Sequence, residues 1–321
     1  AGAGCQGRGP NRASREHRGL SNELALAVGI AVLSACAHGA PASAPACTYD
    51  GWSPPMIIPL GPSDQVRFPA VAASPSSLYI VGLVRARNSI SARRGQVLDS
   101  SARPWLAVVH PTDGRPRVLT ARSVHGYPRV GLDERGTLHA LWAEADSVPL
   151  DARDFTDLRF TSVWHASYRN GEWTPPQQLH RARTIEWRPG GVSLRAARSG
   201  ELHLVFLGDE MRAEGGTVMH MRWDGAAWRE NKVRVRGVPV YTDVAADGRG
   251  RVAITYVAGY HDSTGSHVNT VFLTHSSDHG ASWGPQRIVS NEPSDESKVL
   301  IDPDGALRVV WMHRRPRDVS A

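Results

Sequence analysis

Acidic side chains are the residues of this sequence whose type best suits acid–base chemistry. Two carboxylates placed on either side of a glycosidic bond can act as acid and as base or nucleophile. Predicted loops and strand ends supply many such groups, namely Glu144, Asp146, Asp151, Asp154, Asp209, Glu210, Asp243, Asp262, Asp295 and Glu296. Because acidic loop residues are usually solvated charge, only Asp243 is preferred as a catalytic candidate, since it is predicted to lie near the centre of the fold.

Four histidines, at 110, 165, 220 and 275, recur with a spacing of 55 residues. Such a period indicates a repeat architecture. Equivalent positions of different repeats lie far apart, whereas metal ligands must converge on one ion at about 2 Å. We therefore expect these histidines to serve repeat packing, and we predict no metal site and no cofactor.

The repeated histidines also mark a repeated turn, because three of them precede a tryptophan by eight residues. The last copy contains S-S-D-H-G-A-S-W at 276–283. Asp278 can bond amides of its own turn, Gly280 can take a positive φ, and Trp283 can enter the core. The three segments are 165–173, 220–228 and 275–283.

A second element, a polar turn with a glycine and then alternating apolar residues, precedes each histidine segment. Its copies are 133–142, 198–206, 247–256 and 302–311, with a weaker one at 74–83. Together the two elements predict four antiparallel strands per repeat, which is the make-up of a propeller blade. The sequence predicts an all-β propeller of five blades, closed by a strand from 47–60 because 49–55 echoes 168–176; six blades are the alternative.

The N-terminal part predicts export and membrane anchoring. An apolar run at 24–33 follows Arg12, Arg15 and Arg18 and is typical of a secretory signal. Residues 33–36, L-S-A-C, resemble the lipobox of bacterial lipoproteins, in which the cysteine, here Cys36, is lipidated; ordinary cleavage leaving a plain thiol is the alternative. The predicted organisation is a signal peptide with an upstream extension at 1–35, a lipidated cysteine and tether at 36–46, and a propeller at 47–321.

These features predict a bacterial cell-envelope protein, held on the outer or the cytoplasmic membrane by its lipid and facing the periplasm or the exterior. The net charge is +6, but the arginines are scattered. Nucleic-acid binding requires basic residues concentrated on one face, so no nucleic-acid partner is predicted.

The octapeptide and its degenerate copies resemble the Asp-box, or BNR, superfamily of sialidase-like β-propellers over nearly all of 47–321. In sialidases of that superfamily an R-I-P motif on the first inner strand provides one of three arginines that bind the substrate carboxylate. Here 66–69, V-R-F-P, occupies the corresponding place. The resemblance therefore implies Arg67 as a ligand-binding residue, together with Arg129 and Arg188 near the starts of other first strands.

The same resemblance implies an aspartate acid/base in the first blade's loop and a tyrosine nucleophile activated by a glutamate. That loop offers Asp99, and Tyr241 and Tyr260 could face the channel; Tyr241 is retained as a catalytic candidate and Tyr260 as a ligand-binding one. No glutamate is evidently paired with them in the sequence. The sequence therefore favours a module that recognises a glycan or a protein, the alternative being a sialidase-like or other exo-acting glycoside hydrolase.

Overall fold

The structure, a computed structural model, describes ten stretches of the chain. They are 64–74, 78–86, 103–109, 117–118, 125–145, 161–182, 190–208, 215–261, 267–290 and 292–313. The predicted signal peptide, tether and closing strand lie outside these residues. No helix within the described stretches is long and apolar enough to cross a bilayer.

The described strands form five antiparallel sheets, numbered here in chain order. Sheet 1 consists of β1 (Asp64–Ala73), β2 (Leu78–Ala86), β3 (Arg103–Val109) and β4 (Arg117–Val118). Sheet 2 consists of β5 (His125–Leu132), β6 (Leu138–Ala145), β7 (Thr161–Arg169), β8 (Glu172–Trp173) and β9 (Gln177–Ala182). Sheet 3 consists of β10 (Val192–Ala196), β11 (Leu202–Leu207), β12 (Gly216–Trp223) and β13 (Trp228–Val235). Sheet 4 consists of β14 (Val238–Ala246), β15 (Val252–His261), β16 (His267–Ser276) and β17 (Arg287–Ser290), and sheet 5 of β18 (Ser294–Ile301) and β19 (Leu307–His313).

Each sheet is a meander in which consecutive strands pair, so the predicted four-stranded repeat is confirmed for sheets 1, 3 and 4. In sheet 2 the outer strand is divided, since β8 and β9 both pair with β7. Pro175 and Pro176 lie at the division. Proline has no amide hydrogen to donate to the ladder, which accounts for the interruption.

Burial falls from the inner strands of a sheet to its outer strand. All six residues of β11 are buried, whereas in β13 only Val233 and Val235 are buried. A strand that is covered on both faces reads as a continuous apolar run, as L-H-L-V-F-L does apart from its histidine. The inner strands therefore lie between neighbouring sheets, and the outer strands lie at the periphery.

The hydrophobic cores lie between consecutive sheets. Leu141 of sheet 2 shares one cluster with Phe206 of sheet 3, and Val205 of sheet 3 shares the next with Ile254 of sheet 4. Sheets 1 and 2 share a cluster, as do sheets 4 and 5. Four-stranded meanders stacked face to face in chain order are the arrangement of propeller blades.

The predicted Asp-box turn is confirmed in sheet 4. Asp278 Oδ1 accepts hydrogen bonds from Ser276 Oγ at 2.6 Å and from the amide of Ser282 at 2.9 Å. Gly280 has a φ of 85°, and Trp283 packs against the core cluster between sheets 3 and 4. The motif is thus a turn that joins β16 to the outer strand β17.

Candidate functional site

Three predicted site residues lie on the first strands of sheets 2 and 4 and contact the segment 190–193. This segment includes the start of β10, the first strand of sheet 3. Arg129 of β5 bonds to the carbonyl of Val192. Tyr241 and Asp243 both belong to β14. The ring of Tyr241 lies where a side chain at residue 190 would project, and Asp243 bonds to Ser193.

Asp243 is fully buried, and both of its oxygens accept hydrogen bonds. Ser193 Oγ donates to Oδ1 at 2.5 Å, and the amide of Val299 donates to Oδ2 at 3.1 Å. A buried carboxylate needs such partners because its desolvation is otherwise costly. Asp243 therefore ties together the first strands of sheets 3, 4 and 5.

Two cationic side chains converge on the same carboxylate oxygen. Arg195 Nη2 lies 3.5 Å and Lys298 Nζ lies 3.9 Å from Asp243 Oδ1, and these two side chains are 49% and 51% exposed. Because both are within 4 Å of one atom, the two cationic groups are within about 8 Å of each other. Two positive charges face one negative charge, so the cluster keeps an excess of positive charge towards solvent.

Arg195 and Lys298 were missed by the sequence reasoning, although the repeat contained a usable signal for Lys298. Counting back seven residues from the glycine of each first turn, Gly136, Gly200, Gly250 or Gly305, reaches a polar side chain in every case. These are Arg129, Ser193, Asp243 and Lys298, one on the first strand of each of sheets 2 to 5. We call these four residues the polar ring.

Arg129 is directed at backbone carbonyls. Its Nη2 and Nε lie 3.1 and 3.4 Å from the carbonyl oxygen of Val192, and its Nη1 lies 3.3 Å from that of Pro128. These bonds join sheet 2 to sheet 3. Ligand binding by Arg129 stays a prediction.

The other predicted site residues are only partly described. Arg67 lies on β1 and Tyr260 on β15, but their side chains are outside the described part of the structure. Asp99, Arg188 and Cys36 are outside the described residues altogether. Their assigned roles stay predictions.

Glu144 is a second carboxylate that the fold buries. It lies near the end of β6 and accepts a hydrogen bond from the indole nitrogen of Trp142 at 2.9 Å. Trp142 is itself among the largest fully buried side chains. This contact gives Glu144 a place in the core of sheet 2.

Buried histidine pairs occupy the repeat positions in sheets 2 and 3. Nδ1 of His139 lies 2.9 Å from Nε2 of His165, and Nδ1 of His203 lies 3.0 Å from Nε2 of His220. Burial lowers the pKa of His165 to about 3, with a further lowering by the neighbouring His139. Burial likewise lowers the pKa of His203 to about 3 and that of His220 to about 4.

Each pair is covered by the next sheet, which agrees with the predicted role in repeat packing. Trp223 of sheet 3 lies 4.6 Å from His139 between ring centres, and Trp283 of sheet 4 lies 5.2 Å from His220. Among the described residues no group of three or more histidine, cysteine, aspartate or glutamate side chains could hold a metal ion. The pairs are therefore neutral core elements between sheets.

The fold and the polar ring define an all-β protein of stacked antiparallel sheets whose first strands carry a charged cluster. No protein-family model matches the sequence, and no curated protein matches it. Similar solved structures include the NanB sialidase of Streptococcus pneumoniae, with 9% identity, a TM-score of 0.46 and 78% of this chain covered. An alpha-L-arabinanase of Penicillium chrysogenum complexed with arabinobiose has 14% identity, a TM-score of 0.46 and 76% of this chain covered.

A sialidase of Trypanosoma rangeli is also similar, with 13% identity, a TM-score of 0.44 and 74% of this chain covered. The alignments cover 56% of the NanB chain, 74% of the arabinanase chain and 42% of the Trypanosoma chain. Structural similarity to sialidases is thus found. At such low identity and TM-scores the resemblance is too remote to indicate a ligand or a reaction.

Proposed function

We propose that this protein is a recognition module that binds an acidic group of a glycan through Arg195 and Lys298. The observation that carries the proposal is the convergence of two half-exposed cations on one buried carboxylate oxygen. Asp243 holds both cations in place without being accessible itself, which reduces the entropy that they lose on binding a ligand. A carboxylate or sulfate group offers the oxygen acceptors that such cations prefer.

The state of Asp243 argues against the hydrolase alternative. A general acid or base must come within hydrogen-bond reach of the substrate. Asp243 is fully buried, and its oxygens are bonded to Ser193 and to the amide of Val299. The best-placed carboxylate of the sequence therefore supports the first strands, and recognition accounts for the cluster better than catalysis does.

A matched pair of sugars tests the proposal. We expect the full chain to bind N-acetylneuraminic acid more tightly than its uncharged methyl ester in calorimetric titrations, with weakening by added salt. Arg195→Ala or Lys298→Ala should each lower the affinity for the acid about tenfold or more, since bonds to charged groups contribute about 1.5–3 kcal/mol. Lys232→Ala is the control, because this other lysine is exposed on the outer strand β13.

Three results would overturn this assignment. Equal affinity for the acid and its ester would show that the cations do not select the ligand. Turnover of an aryl sialoside by the full chain, lost in Arg67→Ala, would instead favour the hydrolase. Binding of an acidic peptide but of no acidic sugar would place the ligand among proteins.

We also propose that the chain is a cell-envelope lipoprotein anchored through Cys36. The support is the order of basic residues, apolar run and lipobox-like L-S-A-C at 33–36. Mass spectrometry of the protein from a bacterial membrane fraction should find a lipid-modified Cys36 at the mature N-terminus. An unmodified cysteine in that fraction would contradict the anchor.

The proposed ring has five blades and is closed by a strand from 47–60. The supporting observation is an apolar face of sheet 5 that no other described sheet covers. On it Leu300, Val310 and Met312 are each more than half exposed. A closed ring would cover this face. In the full chain Met312 should then resist peroxide oxidation as the buried Met219 does; rapid selective oxidation of Met312 would contradict closure.

A further inference from the structure

The outer strands of sheets 2 and 3 enclose a groove of about 420 Å³, and no residue of the polar ring lines it. Its floor is apolar and consists of Leu179, Met221, Trp223 and Trp228. Its volume lies within the range of about 300–1,000 Å³ that small-molecule sites occupy. We call this space the outer groove.

The rim of the outer groove is polar. Gln177 and Gln178 are exposed on β9, and neither side-chain amide makes a hydrogen bond to another described residue. Across the groove, Glu230 Oε2 accepts a hydrogen bond from His180 Nδ1 at 2.8 Å. This bond fixes the carboxylate and leaves Oε1 without a donor among the described residues, so the rim presents two amides and one acceptor oxygen.

The next interface of the same molecule shows that the groove is not a general consequence of stacking these sheets. Between sheets 3 and 4, Asn231 Nδ2 donates to the carbonyl oxygens of Gly280 and Ala281 at 2.7 and 2.8 Å. The outer strand of sheet 3 is thereby bonded to the turn before Trp283. Between sheets 2 and 3 the corresponding turn contributes Ala226 and Ala227 to the groove wall, facing the glutamines.

We propose that the outer groove binds a neutral sugar, with its apolar ring face on the tryptophan floor and its hydroxyls on the rim. Sugar hydroxyls both donate and accept hydrogen bonds. The glutamine amides on the rim can also do both, and the carboxylate oxygen can accept. Aromatic side chains provide a rigid apolar surface for the ring face. The Glu230 carboxylate, held ionised by His180, disfavours an acidic sugar here, so this site goes beyond the proposed acidic-group site at Arg195 and Lys298.

The test uses three neutral disaccharides, lactose, cellobiose and maltose, with the full chain. Binding should quench or shift tryptophan fluorescence, because Trp223 and Trp228 form the floor. Ala226→Trp should fill the groove and abolish binding. Ala281→Trp is the matched control, since Ala281 is the exposed residue two positions before the equivalent tryptophan.

Smaller changes separate recognition from folding. Gln177→Ala and Gln178→Ala should each lower the affinity about two- to tenfold, the effect of one hydrogen bond. Arg195→Ala should leave the binding of neutral disaccharides unchanged, which distinguishes this site from that of the proposed function. The inference is overturned if none of the three sugars binds up to about 10 mM, or if Ala226→Trp and Ala281→Trp bind equally well.

Discussion

Acid should unfold this protein through its buried histidine pairs, and His220 provides the sharpest test. In the folded protein His220 lies beneath Gly280 and Trp283 and is about 1% exposed. Burial lowers its pKa from 6.5 to about 4. The unfolded chain binds a proton at this site near pH 6.5 while the folded chain does not, so stability falls as the pH drops from about 6.5 towards 4.

The size of the effect follows from the two pKa values. At pH 5, which lies about 1.5 units below the unfolded pKa, protonation of His220 stabilises the unfolded state by about 2 kcal/mol. The folded His220 is still largely neutral at this pH. His165 and His203 have similarly lowered pKa values of about 3. The three sites together give an upper bound of about 6 kcal/mol, comparable with the whole stability of a typical domain.

The assay is urea unfolding of the full chain at pH 7.5 and at pH 5. His220→Gln removes one of these titrations, so the loss of unfolding free energy between the two pH values should shrink by about 2 kcal/mol. His275→Gln is the control, because His275 stands at the same distance before its tryptophan but is exposed. The reasoning is refuted if both variants keep the pH dependence of the parent chain.

The remaining predictions concern the turn of sheet 4 and its neighbour. Gly280→Ala should cost about 2–4 kcal/mol of unfolding free energy, because an added Cβ meets the ring of His220 and φ is 85°. Gly171→Ala is the control and should cost about 1 kcal/mol, because its φ is 88° but the space around it is open. Equal costs in thermal or urea unfolding would contradict the packing argument. Asn231→Ala should cost about 1–3 kcal/mol through the loss of its bonds to sheet 4, and a change below measurement error would show that those bonds do not hold the interface.

The local parts of the fold were predictable because their causes are local. Asp278 bonds to Ser276 and Ser282, two and four residues away, and the φ of Gly280 follows from the same turn. The apolar run of an inner strand such as β11 is likewise a property of neighbouring residues. Turns and strands could therefore be read from spacing.

The charged cluster could be read only in part, because its contacts join distant residues. Asp243 was expected near the centre, and the structure places it against Ser193, 50 residues earlier, and Val299, 56 residues later. Which side chains meet there depends on how the sheets are rotated against one another. Spacing does not record that rotation, so the convergence of Arg195 and Lys298 on Asp243 could not be read from it.

The outer groove was missed for a related reason. Gln177 and Asn231 follow equivalent tryptophans by four and three residues, and sequence alone gives both the same role of polar outer-strand residues. Only Asn231 reaches the turn of the next sheet. Pro175 and Pro176 interrupt the outer strand immediately before Gln177, so it pairs with β7 in two pieces, whereas β13 pairs with β12 without a break.

The repeat separates positions that keep one residue type from positions that vary from sheet to sheet. The residues that fill the interfaces are kept from sheet to sheet, since Trp228 covers His165 and the equivalent Trp283 covers the equivalent His220. The polar ring keeps its position but changes its chemistry at each step, from Arg129 to Ser193, Asp243 and Lys298. Repeat packing would be satisfied by one residue type used four times, whereas the four first strands carry four different ones. Ser193 and Asp243 are buried, so the half-exposed groups of the charged cluster are Lys298 and Arg195. The proposed binding of an acidic group uses this asymmetry, because selecting one ligand requires contacts that others cannot make.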